Sequence, residues 1–313
     1  MNYLRLGNLL KLIIPLILTL SITTTFAAEQ KLNMGFDSLS VDEGLSQESV
    51  YSIIQDSHGF IWMATQEGLN RFDGHEYKIY VPDDSRPDAI SHYWIWDILE
   101  DKQGFLWIAT DGGGLDRYNP KTDSFEHFRH DPKNVNSLSG NIVRSIFQDS
   151  TGMLWVATNS GLNRLDPASG KIKRFQHKTD DPTSLSSNRV RAIAEDHNGN
   201  IWAGTDGGGL NRLDHLNGHF LRIPTAKNSA TSMPTKRIYA LTVDSLGYLW
   251  IGSYDHGVSR YHPTQNRFQH FSPSDDKLNS LSGKKVKDIF EDSRGRIWFA
   301  TNKGLDLWHP EKK

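Results

Sequence analysis

The segment Asp56-Ser-His-Gly-Phe-Ile-Trp62-Met-Ala-Thr65 decides the fold, because the chain contains six copies of it. All six fit the pattern D-x-x-G-x-[IL]-W-x-[AG]-[TS], and their tryptophans are 45 to 48 residues apart. Self-similarity at a fixed period of this length indicates a repeat architecture in which each repeat is one structural unit. The repeats are centred on Trp62, Trp107, Trp155, Trp202, Trp250 and Trp298.

Each repeat predicts four short strands joined by tight turns. In the first repeat, Val50–Gln55 leads into an Asp-x-x-Gly turn, which favours Asp at its first position and Gly at its fourth. The strands Phe60–Thr65, Leu69–Phe72 and Glu76–Val81 follow, the last one after the hairpin signal Asp73-Gly74. Four such strands per repeat are typical of a propeller blade. The sequence therefore predicts an all-β fold, a β-propeller of six four-stranded blades.

The two ends of the repeat array predict how the ring closes. The sixth repeat supplies only three strands, Val286–Glu291, Ile297–Thr301 and Leu305–Trp308. The segment Leu32–Leu39 stands before Gly44-Leu45-Ser46 as the fourth strands of other repeats stand before their own Ser-Leu-Ser. This N-terminal strand is therefore expected to complete the last blade and remove an open sheet edge. The alternative is an incomplete seven-bladed propeller that leaves an open arc.

Residues 1–27 have the features of a secretory signal peptide. Arg5 and Lys11 form a positive end, Leu12–Leu20 is apolar, and Thr25-Phe26-Ala27 fits a cleavage site. An uncleaved anchor is the alternative, but Pro15 interrupts an apolar run that is short for a membrane span. We therefore expect residues 28–313 to form the propeller, without a membrane span in the mature chain, in the periplasm.

Composition excludes several classes of protein. The 35 Lys and Arg against 37 Asp and Glu give a formal charge of −2, which is not the footprint of a nucleic-acid binder. The absence of cysteine excludes disulfides, Cys-ligated zinc and thiol catalysis. The 13 histidines are scattered without an H-E-x-x-H motif, and the Asp turns do not match a calcium loop. No metal or cofactor is predicted.

The repeated residues themselves are interpreted as structural. A tryptophan at one fixed strand position in every unit supplies the apolar area that a small sheet needs against its neighbour, so we predict that the six tryptophans form inter-blade core. The aspartates of the Asp-x-x-Gly segments are interpreted as turn residues rather than catalytic groups.

The repeat resembles the two-component regulator propeller repeat, whose pattern is close to D-x-x-G-x-[LI]-W-[IV]-[GA]-T-x-x-G-L-x-[RK]. The connecting phrases Asn136-Ser-Leu-Ser-Gly-Asn141 and Asn279-Ser-Leu-Ser-Gly-Lys284 are also similar to that family. The resemblance covers residues 34–310. It implies a periplasmic sensor region like those of hybrid histidine kinases and diguanylate cyclases, many of which sense saccharides. Such proteins usually continue into further blades, a membrane helix and an output domain, so a membrane sensor kinase or diguanylate cyclase is the expected partner.

A candidate ligand site follows from the propeller geometry, in which each innermost strand begins at the face to which the loop between the second and third strands returns. When the innermost strands are aligned on their Val or Ile, the next residue is always large and never aliphatic. Those residues are Tyr51, Trp96, Arg144, Arg191, Tyr239 and Lys287. The loops over the same face contribute Asp111, Asp206, Tyr254, Asp255 and His256, and two of them contain triple glycines.

The chemistry of this ring suits an anionic or sugar-like ligand. Aromatic faces pack on the apolar faces of sugar rings, and the guanidinium fork binds carboxylate or sulfate through two hydrogen bonds. The alternative is that the long side chains merely fill the channel. For the triple glycines, a tight turn is favoured over a binding role.

Three functions are consistent with the sequence. The first is a non-enzymatic sensor module that binds a small molecule or an oligosaccharide. The second is a saccharide lyase or glycosidase, for which the candidate carboxylates are Glu67, Asp111, Asp206 and Asp255. The third is a scaffold that binds a protein partner. No pair of carboxylates is singled out, so the sequence favours the sensor and does not predict an enzyme.

Overall fold

The computed structural model describes residues 38–214, 217–226, 229–262, 264–274 and 280–309. These residues form 23 strands and one short 3-10 helix, Val41–Glu43, and contain no α-helix. The strands form six antiparallel sheets, and within each sheet the strands follow one another in chain order. The sheets are the six blades of a β-propeller, which confirms the predicted fold class.

The strand bounds follow the predicted four-strand unit closely. Blade 1 contains β1 (Ser52–Gln55), β2 (Ile61–Ala64), β3 (Leu69–Phe72) and β4 (Tyr77–Tyr80). Blade 2 contains β5 (Ile95–Glu100), β6 (Leu106–Thr110), β7 (Leu115–Asn119) and β8 (Ser124–Phe128). Blade 3 contains β9 (Val143–Gln148), β10 (Leu154–Thr158), β11 (Gly161–Leu165) and β12 (Ile172–Phe175).

The second half of the chain repeats this arrangement. Blade 4 contains β13 (Val190–Glu195), β14 (Ile201–Thr205), β15 (Gly209–Leu213) and β16 (Phe220–Arg222). Blade 5 contains β17 (Ile238–Val243), β18 (Leu249–Ser253), β19 (Val258–His262) and β20 (Arg267–Phe271). Blade 6 contains three strands among the described residues, β21 (Val286–Glu291), β22 (Ile297–Thr301) and β23 (Gly304–Leu307).

One carboxylate ties each Asp-x-x-Gly turn to the tryptophan of its repeat. In blade 2, Asp101 Oδ1 accepts the backbone N–H groups of Gln103 at 2.9 Å and Phe105 at 3.0 Å. Its Oδ2 accepts the indole N–H of Trp107 at 2.7 Å. The same indole bond recurs in every repeat, at 2.7 to 2.9 Å. The turn role predicted for the aspartates is therefore confirmed, and the carboxylate also satisfies a buried indole N–H.

Apolar cores lie between consecutive blades. Five such cores join blades 1 to 2, 2 to 3, 3 to 4, 4 to 5 and 5 to 6. Each of the first five repeat tryptophans is at most 2% exposed and belongs to one core, which confirms the inter-blade role predicted for them. The Ser-Leu-Ser phrases contribute to these cores, because Leu138 and Leu185 are fully buried in the second and third of them.

The face of blade 6 and the face of blade 1 that lie outside these five cores leave apolar side chains exposed. Leu305 is 64% exposed and Ile53 is 62% exposed, although Leu115 and Ile98, at the equivalent positions of blade 2, are buried. Phe290 is also 62% exposed. Within the described part of the chain, no core joins the last blade to the first, and Trp298 remains half-buried. The predicted closing strand Leu32–Leu39 and the predicted signal peptide fall on residues outside the described ranges, apart from Ser38 and Leu39.

Candidate functional site

A repeated β-bulge sets the direction of five predicted ring residues. In blade 2, Ile95 pairs with Thr110 and Asp97 pairs with Ala109, so that Trp96 has no partner in the ladder. The same irregularity occurs at the equivalent point of blades 3 to 6, at Arg144, Arg191, Tyr239 and Lys287. A bulge re-aims a side chain out of the regular alternation of a strand. These residues therefore stand outside the ladders, at the ends of the innermost strands where the channel mouth is predicted, although Trp96 still packs against the core between blades 2 and 3.

The aromatic side of the mouth comes from blades 1 and 2. The rings of Trp94 and Trp96 stack with centroids 4.9 Å apart. Tyr51 packs edge-on against Trp96 at 4.9 Å and lies 6.1 Å from Trp94. We call Tyr51, Trp94 and Trp96 the aromatic trio. The structure thus brings together the two aromatic residues predicted for these blades and adds a third.

Arg144 connects the aromatic trio to the next blade. Its guanidinium lies over the ring of Trp96, 4.1 Å from the centroid, and 3.2 Å from Asp111 Oδ1. Burial lowers the pKa of Arg144, and the nearby positive charge of Arg191 lowers it further, whereas Asp111 acts in the opposite direction. The positive charge of Arg191 on blade 4 therefore acts on Arg144 of the neighbouring blade 3.

Asp206 is the centre of a second cluster, on blades 4 and 5. Arg189, Arg237 and Arg191 lie 2.9, 3.1 and 3.6 Å from its carboxylate oxygens. The hydroxyl of Tyr239 also donates to Asp206, at 3.3 Å. Burial raises the pKa of Asp206, but the hydrogen bond from Arg237 and the three positive charges outweigh it and hold the pKa below its usual value. One negative charge is thus shared by three positive ones.

The remaining predicted loop residues lie beside this cluster. Arg237 stacks on the ring of Tyr254 at 3.7 Å, and Lys285 lies 4.6 Å from the same centroid. Asp255 accepts a hydrogen bond from Thr235 at 2.8 Å and pairs with His256 Nδ1 at 2.9 Å. Burial raises the pKa of Asp255, but these two hydrogen bonds outweigh it and the pKa is lowered.

Lys287 is the predicted ring residue that the structure does not join to the others. Its side chain is exposed at the bulge of β21, and it makes no ion pair with any residue that the structure describes. It belongs to the blade whose outer face has no neighbouring core. The ring is therefore well ordered by contacts over blades 1 to 5 and weakest at blade 6.

Sequence reasoning missed the residue that precedes the aligned Val or Ile in four of the innermost strands. Trp94, Arg189, Arg237 and Lys285 occupy this position, and each contacts a predicted site residue. Side chains two apart on an extended strand share a face. Taking both neighbours of the aligned aliphatic residue, rather than only the following one, would have found them.

Several buried polar atoms at the mouth lack a hydrogen-bond partner among the described residues. Four of them are N–H donors: the indole Nε1 atoms of Trp94 and Trp96 and the Nε atoms of Arg144 and Arg191. Asn159 Oδ1 is an acceptor in the same condition, and so is Asp111 Oδ1, whose 3.2 Å contact with Arg144 is an ion pair without hydrogen-bond geometry. A buried polar group without a partner costs about 1–3 kcal/mol. A ligand that supplies acceptors and hydroxyl groups would recover that cost.

The central residue of each triple glycine is constrained by packing. A Cβ atom on Gly113 would lie 2.0 Å from Ser91 Oγ, and one on Gly208 would lie 2.4 Å from Ser186 Oγ. These glycines therefore let the loops lie directly against the connecting phrases. Among the described residues, no group of three or more His, Asp or Glu side chains has the arrangement of a metal site.

A half-buried carboxyl group, that of Asp97, lies directly after the bulge residue of blade 2. Asp97 accepts hydrogen bonds from Ser52 Oγ of blade 1 at 3.3 Å, from its neighbour Ile98 N at 2.9 Å and from Ile146 N of blade 3 at 2.9 Å. Burial raises its pKa to about 6, although these hydrogen bonds lower it. Asp97 therefore joins three blades and was not anticipated from the sequence.

Asp97 is expected to give the fold a pH dependence. Its pKa in the folded state is above the unfolded value, so its contribution to stability is complete below about pH 4 and is lost as the pH rises through 6. Asp97→Asn does not titrate, so its stability relative to the parent should improve by about 2–3 kcal/mol between pH 4 and pH 7. Urea unfolding at several pH values measures this difference.

Asp83→Asn is the matched control, because hydrogen bonds from Ser85 lower the pKa of the exposed Asp83. Its small effect should have the opposite sign, with the parent losing stability as the pH falls. A difference between Asp97→Asn and the parent that does not change with pH would contradict the prediction.

Comparison with known proteins decides the family. The model of the two component regulator propeller matches residues 44–67, 89–112, 137–160, 184–207, 232–255 and 280–303. The chain belongs to the two-component regulator propeller family. Each matched segment of this regulator propeller runs from the connecting phrase through the innermost strand to the loop after the second strand. The segments therefore include every candidate site residue except His256.

Relatives of this regulator propeller belong to signalling systems. Histidine kinase P4 of Formosa agariphila is 50% identical over 58 residues, which are 18% of this chain and 4% of that protein. The solved extracellular domain of a protein assigned as a hybrid two-component system of B. thetaiotaomicron is 29% identical, with a TM-score of 0.52. That match covers 87% of this chain and 41% of the other.

Two further solved structures extend the comparison. The extracellular domain of a protein assigned as a one-component system of B. thetaiotaomicron is 26% identical, with a TM-score of 0.67, over 88% of this chain and 37% of the other. This chain thus spans about two fifths of these extracellular domains. A streptogramin B lyase is 18% identical, with a TM-score of 0.61 over 85% of this chain and 81% of its own, and shows the propeller fold alone. No helix in the described ranges is long and apolar enough to cross a bilayer.

Proposed function

We propose that this chain is the sensor propeller of a two-component or cyclic-di-GMP signalling system, and that it binds a saccharide-like or anionic small ligand at the channel mouth. One observation carries the proposal: aromatic rings and guanidinium groups from successive blades meet at one face, and four of their buried N–H donors have no partner in the described chain. Membership of the regulator propeller family supports the signalling role, and the predicted leader peptide supports a periplasmic location.

The charges at the mouth favour binding over hydrolysis. A glycosidase needs one carboxylic acid whose pKa is raised, so that it can protonate the leaving group. The pKa values of Asp206 and Asp255 are lowered instead, because arginine, histidine and threonine side chains hold their charged forms. Asp111 is paired with Arg144. These carboxylates act as anchors for the cations of the site rather than as proton donors.

Replacing Trp96 tests the location of binding. A thermal-shift screen of mono- and oligosaccharides and of small organic acids on the purified chain identifies a ligand. Trp96→Leu keeps apolar bulk but removes the stacking surface and the indole N–H, so it should weaken that ligand about fivefold or more. Titration calorimetry on the parent and the variant measures the dissociation constants.

Leu246→Ala is the control, because Leu246 is 80% exposed in the Asp-x-x-Gly turn of blade 5 and is not part of the mouth. It should bind like the parent. A ligand whose affinity is unchanged in Trp96→Leu and also in Tyr239→Ala would place binding elsewhere and overturn the proposed site.

A separate experiment tests the signalling role. The chain is immobilised and exposed to a detergent extract of membranes from its source cell, with and without the ligand found above. Recovery of a histidine kinase or a diguanylate cyclase supports the proposal. Saturable recovery of neither, or hydrolysis or elimination of the ligand by the purified chain, contradicts it.

A further inference from the structure

The channel mouth is chemically polarised. The aromatic trio, Tyr51, Trp94 and Trp96, occupies blades 1 and 2, whereas Arg144 and Arg191 occupy the corresponding position of blades 3 and 4. The guanidinium of Arg144 lies 4.1 Å from the ring centroid of Trp96, so the two halves are adjacent. One ligand of the size of a sugar ring can reach both halves.

Within the described chain, the charges of Arg144 and Arg191 are incompletely neutralised by carboxylates. Their side chains are only 16% and 18% exposed, and the Nε of each lacks a hydrogen-bond partner within the described chain. The carboxylates nearest to Arg144 and Arg191 are 3.2 and 3.6 Å away, and the second of these, Asp206, also serves Arg189 and Arg237. Buried like charges that are incompletely neutralised destabilise each other. An anionic group placed between them would remove this repulsion and satisfy both N–H donors.

The aromatic half of the mouth is suited to a different chemical group, the ring of a sugar. The aromatic trio offers apolar ring surface beyond the two faces of Trp96 that Trp94 and Arg144 cover, and within the described chain the indole N–H groups of Trp94 and Trp96 have no acceptor. A pyranose ring presents an apolar face for packing and hydroxyl oxygens as acceptors at its edge. An acid without a ring would leave this half unused, and a neutral sugar would leave the arginine pair unneutralised.

We propose that the ligand is an acidic saccharide, whose sugar ring packs on the aromatic trio while its carboxylate or sulfate lies between Arg144 and Arg191. This inference rests on the proposed function and specifies the ligand class for the same site. A bidentate arginine contact is the geometry in which carboxylate and sulfate are bound most strongly. Both acid groups fit the requirement, and the experiment distinguishes them.

Four probes are compared by titration calorimetry on the parent chain. They are tetragalacturonate, its full methyl ester, a sulfated galactan tetrasaccharide and inorganic sulfate. The methyl ester has the same rings as tetragalacturonate without the charge, and inorganic sulfate has the charge without a ring. At least one acidic tetrasaccharide should bind tenfold or more tightly than both the methyl ester and inorganic sulfate. The affinity for tetragalacturonate compared with that for the sulfated tetrasaccharide shows whether the site prefers a carboxylate or a sulfate.

Arg144→Gln and Arg191→Gln should each weaken the acidic probe about tenfold or more, because each removes a charge-assisted hydrogen bond. They should change the affinity for the methyl ester less than threefold. Arg164→Gln is the matched control, since Arg164 is an exposed arginine on β11 and should leave binding unchanged. Circular dichroism melts of all three variants verify that each is folded.

The outcomes separate this inference from the proposed function. If a neutral sugar binds as tightly as the acidic probes and Trp96→Leu weakens it, the mouth is a binding site and the acidic-saccharide inference is wrong. If a ligand binds without any effect of Trp96→Leu, Arg144→Gln or Arg191→Gln, both are wrong. Absence of binding for all four probes at millimolar concentration also overturns the inference.

Discussion

Trp155→Ala is expected to lower the free energy of unfolding by about 3–5 kcal/mol, the range for truncation of a fully buried large aromatic side chain. Trp155 is 2% exposed and packs with Leu162, Val190 and Ile193 in the core between blades 3 and 4. Its ring also stacks on Phe175, with centroids 5.7 Å apart. Alanine would leave a cavity that the two sheets cannot close without distorting their hydrogen-bonded ladders. Urea unfolding followed by circular dichroism measures the change.

Trp298→Ala is the internal control for this prediction. Trp298 occupies the same position of the repeat and makes the same bond to its aspartate, at 2.9 Å, but it is half-buried and lies in none of the five cores. Its truncation should cost less than half as much as that of Trp155. Equal losses in the two variants would mean that an undescribed part of the chain covers Trp298 as fully as blade 4 covers Trp155.

Asp101→Ala is expected to destabilise the fold by about 2–4 kcal/mol, because it leaves several donors without an acceptor in a site where water has little access. The lost bonds are those from the backbone of Gln103 and Phe105 and from the indole of Trp107, which is fully buried. Asp101→Asn keeps one acceptor oxygen but places an amide N–H group against a donor. Its stability should therefore lie between that of the parent and that of Asp101→Ala. The shift of the urea midpoint at constant slope measures both variants.

Asp73→Ala separates the turn contribution from the indole contribution. Asp73 Oδ1 accepts the backbone N–H groups of His75 and Glu76, both at 2.8 Å, but Asp73 is exposed and bonds to no tryptophan. Its loss should cost much less stability than the loss of Asp101, because water can replace the carboxylate as acceptor. If Asp73→Ala and Asp101→Ala were equally destabilising, the aspartates of the repeat would matter only as turn residues.

The repeated features of the fold could be predicted because they are periodic. Six copies of the Trp and Asp positions determine the blade number, the strand order and the location of the cores, since a position that is constant in every repeat meets the same neighbours in every repeat. The bond between Asp101 and Trp107 was missed for a physical reason. The two residues are six positions apart, and only the actual turn geometry shows that the carboxylate reaches past the turn to the indole.

The candidate site was partly predictable because its positions follow from the same alignment, whereas its contacts do not. Arg144 and Trp96 were both predicted, but their stacking depends on the twist between blades. The bulge at these two residues could not be predicted either, because one extra residue in a strand has no fixed sequence signal. Trp94 and Arg237 were missed because only one neighbour of the aligned aliphatic residue was considered. The pKa of Asp97 depends on burial between three blades, which a single sequence does not encode.

The repeated bulge has a consequence for how such proteins acquire new specificities. A residue that stands outside the ladder contributes little to strand pairing, and of the five bulge residues only Trp96 rests against an apolar core. Exchanging these residues is therefore nearly free of folding cost, whereas the alternating residues of the same strands are constrained by their neighbours. A combinatorial library randomised at these positions should remain largely folded, and selection on it can turn one scaffold into receptors for many different molecules.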